Sequence, residues 1–306
     1  MMKRSMVAMA VAGAMSFAAN AADVNGFADI RMNADNEAYQ FGAAGEVDFS
    51  ASQDGVSVRV DVDLAMAADD GNGGGNSLNG ESGVIEQAFF AAPVASGVTL
   101  VGGLFNNPVG MEAQDVTDRN TMSSGMIYGI FDNQTVMYGN NVAGLAAAID
   151  AGMAKVTVGF LNDIGGNPDS AGKAVNSIAV VVNASVMEGL DVELGHVTQE
   201  AGAGAVTDIN LTYAAGPAKV GFEYLMAEEL VDSAIGLNVG YDVMPGLGVA
   251  LRYETMTPAG GDDETNTTLA ATYAMAKNLD AVVEYTSYDD GVDTDASGVI
   301  GFVAKF

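Results

Sequence analysis

The sequence predicts an all-β fold, a transmembrane antiparallel barrel of about 16 strands. Three observations predict it. Apolar and polar residues alternate with period two along nearly the whole chain, so each segment has one apolar and one polar side. Short connections alternate with longer acidic ones, as in a barrel with tight turns at one end and loops at the other. The final strand ends on an aromatic residue, Phe306. A soluble sandwich shares the first property but accounts for neither of the others. Helical spacing organises none of these runs. No apolar stretch reaches the roughly 18 residues of a membrane helix. The best, from Val142 to Leu161, is broken by Asp150 and Lys155.

Taken in chain order, the first element is an address. Lys3 and Arg4 precede an apolar run from Met6 to Phe17, and Ala19-Asn20-Ala21 is a small-x-small cleavage site. Residues 1–21 therefore read as a secretory signal peptide, leaving 22–306 as the barrel. No Cys follows the run, which excludes a lipoprotein anchor. Strands are expected near 24–33, 39–52 and 55–67. In the third, Val56, Val58, Val60, Val62 and Leu64 alternate with Ser57, Arg59, Asp61 and Asp63. Gln53-Asp54-Gly55 is a tight turn before it. The Gly- and Asn-rich stretch from Asp69 to Ser82 reads as an external loop, since it lacks the Lys and the following helix of a phosphate loop.

Strands near 84–92 and 98–105 lead into the longest connection, from Asn106 to Asn141. Walls near 142–150 and 154–163 follow it; alternation is weakest at 98–105 and 142–150. The rest are expected near 173–186, 189–200, 205–215, 218–227, 233–243, 246–256, 265–276, 279–288 and 297–306. Val220, Phe222 and Tyr224 alternate with Lys219, Gly221 and Glu223; Leu247, Val249, Leu251 and Tyr253 alternate with Gly248, Ala250, Arg252 and Glu254. Short turns fall at Met187-Glu188-Gly189, Gly216-Pro217 and Met244-Pro245-Gly246. Longer acidic ones run Asp163 to Gly172, Thr257 to Thr265 and Asp289 to Ala296. The count of sixteen is even, as it must be when both termini lie at the short-turn end; a wall hairpin within 121–139 would make it eighteen. With sixteen, Tyr213, Tyr241, Tyr273 and Phe306 mark one rim and Phe160, Tyr224, Tyr253 and Tyr285 the other, as two aromatic girdles.

Composition narrows the function. Eleven basic against 40 acidic residues give a net charge of −29, which repels nucleic acid. There is no Cys, hence no disulfide or thiolate chemistry, and a single His, His196, rules out a multi-histidine metal site within one chain. Hydrophobic residues at 49% and charged ones at 17% disfavour disorder.

The export signal, the mature start Ala22-Asp23-Val24-Asn25-Gly26-Phe27 and the terminal strand ending in Phe306 resemble Gram-negative outer-membrane porins. The segment from Glu86-Gln87-Ala88-Phe89 to Gly102-Gly103-Leu104-Phe105-Asn106-Asn107-Pro108-Val109-Gly110-Met111-Glu112 is similar to the OmpL-like beta-barrel porins. The resemblance implies an integral outer-membrane location, contact with outer-membrane lipid, and Phe306 as part of the signal read by the barrel assembly machinery. It also implies a loop that narrows the pore. Basic residues form no cluster suited to a constriction ladder, and the resemblance implies no particular solute.

The expected function is a passive diffusion channel for ions and small polar solutes, because a barrel of roughly 16 strands leaves an aqueous lumen. The alternative is a non-conducting structural or adhesive barrel with acidic surface loops. Wall candidates facing the lumen are Arg59, Asp61, Asp63, Lys219, Glu223, Asp242, Arg252 and Glu254, joined by Asp191, Glu193, Asp280 and Glu284: nine acidic against three basic. A lumen of one dominant sign concentrates the opposite ion, so cation preference is expected, unless wall charges only pair with each other. In the segment 106–141, Glu112, Asp115, Asp118 and Arg119 are the candidates for a constriction loop. An outer loop or hairpin fits that segment equally well. Asp289-Asp290-Gly291-Val292-Asp293-Thr294-Asp295 is acidic, but Ala304 stands where an EF-hand needs Glu, leaving at most weak divalent bridging by external loops. No cofactor, no resident metal and no catalytic residue is expected: there is no G-x-S-x-G elbow, and His196 falls on the apolar side of its strand. A homotrimer and a monomer fit the sequence equally.

Overall fold

The computed structural model describes residues 22–34, 39–63, 85–113, 115–134, 141–162, 176–198, 204–228 and 230–306. The signal peptide expected at 1–21, the external loop at 69–82 and the loop at 163–172 lie outside the described residues. Sixteen strands follow one another: β1 (Ala22–Ala34), β2 (Tyr39–Gln53), β3 (Val56–Asp63), β4 (Ile85–Ala95), β5 (Val98–Asn106), β6 (Asn141–Asp150), β7 (Ala154–Asn162) and β8 (Asn176–Met187). Then come β9 (Leu190–Thr198), β10 (Val206–Ala215), β11 (Ala218–Ala227), β12 (Val231–Met244), β13 (Leu247–Pro258), β14 (Glu264–Ala276), β15 (Leu279–Asp289) and β16 (Thr294–Lys305). One helix, α1 (Met126–Gln134), interrupts them between β5 and β6.

Every strand pairs antiparallel with its sequence neighbours, and β1 also pairs with β16, with Phe27 opposite Lys305 and Ala34 opposite Gly298. The sheet is therefore a closed barrel with no free edge. The hairpin within 121–139 that would have raised the count to eighteen is not seen among the described residues, where α1 occupies 126–134. Tight turns set the register. Between β2 and β3, Asp54 and Gly55 both have positive φ, 52° and 84°, as a two-residue type I′ turn requires, and this places Gln53 opposite Val56.

Burial is inverted relative to a soluble protein. Along β11, Gly221, Glu223, Leu225 and Ala227 face inward and are buried, whereas Val220 and Met226 are exposed on the outside. Along β13, Arg252 and Glu254 are buried and Tyr253 is 43% exposed. An outer surface of exposed Val, Leu, Ile, Phe and Tyr around a charged interior suits hydrocarbon rather than water. Tyr213, Tyr241 and Tyr273 are exposed on it close to the short-turn ends of β10, β12 and β14; Phe160, Tyr253 and Tyr285 lie outward toward the opposite ends of β7, β13 and β15. Among the described residues no helix is long and apolar enough to cross a membrane.

Candidate pore and its internal loop

The connection after β5 turns into the barrel. Its backbone N–H groups meet carboxylates on inward positions of the far wall. Met111 donates to Glu223 at 2.8 Å, Met122 and Ser123 donate to Glu284 at 2.7 and 3.1 Å, and Met126 and Ile127 donate to Glu254 at 3.0 and 3.2 Å. The last pair lies at the N-terminus of α1, where the first amides of a helix lack internal partners and a negative charge opposes the positive dipole end. A nine-residue helix has little stability alone, so Glu254 and the packing around α1 supply what its length does not.

Arg252, 2% exposed, is the hub of the polar contacts. Its guanidinium donates to Thr121 Oγ1, the Ser123 carbonyl and the Ser124 carbonyl at 2.8–2.9 Å, and to Thr268 Oγ1 at 3.3 Å. It also pairs with Glu112 at 3.2 Å and Glu254 at 3.3 Å. Glu112 accepts the Gly125 N–H and pairs with Arg119 at 3.4 Å, folding the loop back on itself; Arg119 also donates to Ser124 Oγ. A buried guanidinium needs this many acceptors, because its charge has left water.

The other side of the loop is apolar. Val109, Ile127 and Phe131 are buried in one cluster with inward residues that include Phe105, Val142, Leu161, Val181 and Val197. Wall glycines make room for the loop. A Cβ at Gly195 would lie 2.6 Å from Val109 Cγ1, one at Gly221 2.8 Å from Met111 Sδ, and one at Gly301 2.8 Å from Met122 Cε. The lumen is not filled, however. A cavity of about 510 Å³ lies between Met111 and the β6–β10 wall, lined by Lys155, Asn183, Asp191, Glu193 and Asn210 among others. A smaller one of about 120 Å³ is bounded by Asp118, Arg119, Lys219 and Arg252.

The expected site residues thus separate into groups. Arg252, Glu254, Glu112 and Arg119 form one network, and Glu223 holds the loop start. Lys219 faces the loop across the small cavity with Asp118. Arg59, Asp61 and Asp63 lie on β3, where Arg59 Nε contacts Asp61 at 2.7 Å, and Asp115 comes in from the loop to the same region. Asp242 stands apart, exposed near the short-turn end of β12. Phe306 exchanges backbone hydrogen bonds with Gly26 at 3.1 and 3.3 Å, completing the β1–β16 seam. His196 is exposed on the outside and bonds Thr207 Oγ1 at 2.9 Å.

Sequence reasoning missed α1 and the acidic partners of β3, namely Glu46, Asp48 and Glu86. Glu46 and Asp48 alternate with Val47 and Phe49, a readable signal. Glu86 gave none: it is buried beside Gln87, which is also buried, because the register slips between β3 and β4.

Comparison with known proteins follows this geometry. Similar solved structures include a loop-deletion mutant of OmpT from Vibrio cholerae, with TM-score 0.64, 15% identity, and coverage of 94% of this chain and 99% of that one. OmpT expressed in the outer membrane of Vibrio cholerae gives 0.59 and 15%, covering 93% and 97%. A mutant of the Rh. blastica porin gives 0.65 and 13%, covering 94% and 100%. No curated protein matches the sequence. The model of the family described as Gram-negative porin matches residues 6–293. With that match, a closed sixteen-stranded barrel and an apolar outer belt, the chain belongs to the Gram-negative porin family, an outer-membrane family.

Proposed function

We propose that this protein is a passive, cation-preferring channel for ions and small polar solutes. The observation that carries the reading is the charged interior: among the described residues nine acidic side chains are buried against one basic, Arg252, and cavities remain between loop and wall. A low-dielectric wall around that excess focuses its field into the lumen. Segment 106–141 is the constriction loop in this reading. Glu112, Asp115 and Asp118 bring negative charge to it, and Arg59, Lys219 and Arg252 offset part of that charge. Membership of the porin family supports a non-enzymatic role. The narrower likeness of 86–112 to OmpL-like porins adds no solute.

Phe306 serves as the assembly signal in this reading, and a trimer would bury part of the apolar belt. Divalent bridging at the external 289–296 loop falls to Asp293 and Asp295. The carboxylates of Asp289 and Asp290 accept the loop's own N–H groups.

The test is single-channel conductance of the mature chain in a planar bilayer under a salt gradient. Open steps with a cation-selective reversal potential are expected, and the triple variant Glu112→Gln/Asp115→Asn/Asp118→Asn should lower that selectivity. Absence of conductance from folded, inserted protein would favour the structural barrel, whose supporting observation is the apolar cluster that closes one side of the lumen around Phe131.

A further inference from the structure

At three places the loop meets the far wall as N–H against carboxylate. At β2–β4 it meets the wall as carboxylate against carboxylate. Asp115 comes from the loop and stands beside Glu46. Around it are Asp48 from β2, Asp61 and Asp63 from β3, and Glu86 from β4. One ligand oxygen each from Glu46, Asp48 and Asp61 lie within 4.8 Å of one another, and so do those from Glu46, Asp63 and Glu86; Glu46 belongs to both sets.

Only part of this charge is compensated from within. Arg59 contacts Asp61 at 2.7 Å and Asp48 at 3.6 Å, and Gln87 Nε2 donates to Asp61 at 2.7 Å. That leaves six carboxylates around one guanidinium. Glu46 and Glu86 are 2% and 4% exposed, and one oxygen of each, Glu46 Oε1 and Glu86 Oε2, is buried with no hydrogen-bond partner. Buried carboxylate oxygens without donors are costly; the Glu86 carboxylate has the Asn141 side chain as a partner, and the other neighbours of these two groups include Asp48, Asp61, Asp63 and Asp115.

We infer that this cluster is a divalent-cation site that bridges Asp115 of the loop to the β2–β4 wall through Glu46, Asp48, Asp61, Asp63 and Glu86. The donor set is oxygen only, as a hard cation requires. Asp48 and Asp63 are only half-buried, so a cation reaches the cluster from the lumen. The bound ion turns this repulsive junction between loop and wall into an attachment. The inference stands on wall and loop geometry and does not require that the barrel conduct.

The test is isothermal titration of calcium chloride into the folded, chelator-stripped mature barrel in detergent, with sodium chloride in excess. Saturable binding of one or two equivalents is expected, with Kd about 10⁻⁴ M or tighter. Glu86→Gln and Glu46→Gln should each weaken it at least tenfold, whereas Glu188→Gln, exposed in the turn between β8 and β9, should not. Thermal unfolding provides a second readout. Calcium should raise the midpoint of the parent chain and leave that of Glu86→Gln unmoved. No binding by the parent chain, or equal binding by Glu86→Gln and Glu46→Gln, would overturn the site and assign the charge balance to shared protons. A barrel that binds calcium but passes no current would sink the channel reading alone.

Discussion

The two sides of the internal loop are held in different ways. Toward β5–β12, Val109, Ile127 and Phe131 are packed among aliphatic and aromatic side chains. Toward β13–β15, Arg252, Glu254 and Glu284 hold named backbone atoms within residues 122–127. Packing brings the segment to the wall but tolerates small slides, because dispersion and burial are not directional. Hydrogen bonds to amides fix which residue sits where. The apolar side thus sets that the loop lies inside, and the polar side sets its register across the lumen.

Four variants break or sharpen this contrast. The largest effect is expected for Arg252→Met, which leaves Glu254 without its buried cation and Glu112 with Arg119 alone. Breaking such a pair costs about 3–5 kcal/mol. Its denaturant midpoint in detergent should fall, and the loop between 107 and 126 should become cleavable by added protease. Phe131→Ala comes next, at about 3 kcal/mol for a large-to-small change in a packed cluster. The loop between 107 and 126 should become less cleavable than in Arg252→Met, because its backbone contacts to Arg252, Glu254 and Glu284 remain; equal cleavage would erase the distinction between the two sides. Gly195→Ala sets a methyl group 2.6 Å from Val109 Cγ1, and overpacking of this kind costs about 1–3 kcal/mol. Because only the loop can yield, single-channel conductance should change more than the unfolding midpoint.

The smallest effect lies outside the lumen. Asp290 accepts the N–H groups of Asp293 and Val292, and these bonds hold its carboxyl below the usual carboxylate range. A depressed value in the folded state means that its contribution is present above the ordinary carboxylate range and is lost as pH falls through the lowered value. The amide shifts of Val292 and Asp293, followed by NMR in detergent, should hold from neutral pH into that range and move only below it. Asp290→Asn should flatten the titration without altering loop 107–134.

The same contrast explains what the sequence discloses. Strands such as β11 and β13 are legible because lipid outside and charge inside give the two faces opposite chemistry. The expected walls at 98–105 and 142–150 alternate poorly for a reason now visible. Val101, Phe105 and Val142 face inward onto the apolar side of the loop while Leu145 faces outward, so both faces of these strands are apolar. The helix α1 is illegible for a related reason. Met126-Ile127-Tyr128-Gly129-Ile130-Phe131 carries no clean period, and a carboxylate 128 residues away in sequence caps its start. Strand parity in the sequence predicts that the wall acids face the lumen. Their roles as acceptors for loop amides depend on the path of the loop, which local pattern does not encode.

The seam between β1 and β16 bears on how the molecule forms. Every other strand pair joins neighbours along the chain, so it can zip from a local turn soon after both strands exist. The seam joins Phe27 to Lys305 and cannot close until the last residues are available. Bringing together such distant segments carries the largest loop-closure entropy of any pair and should be the slow event in assembly. Until then the sheet has two unpaired edges, each a template for another chain. The time spent open, rather than the final stability, sets the window in which aggregation competes with insertion.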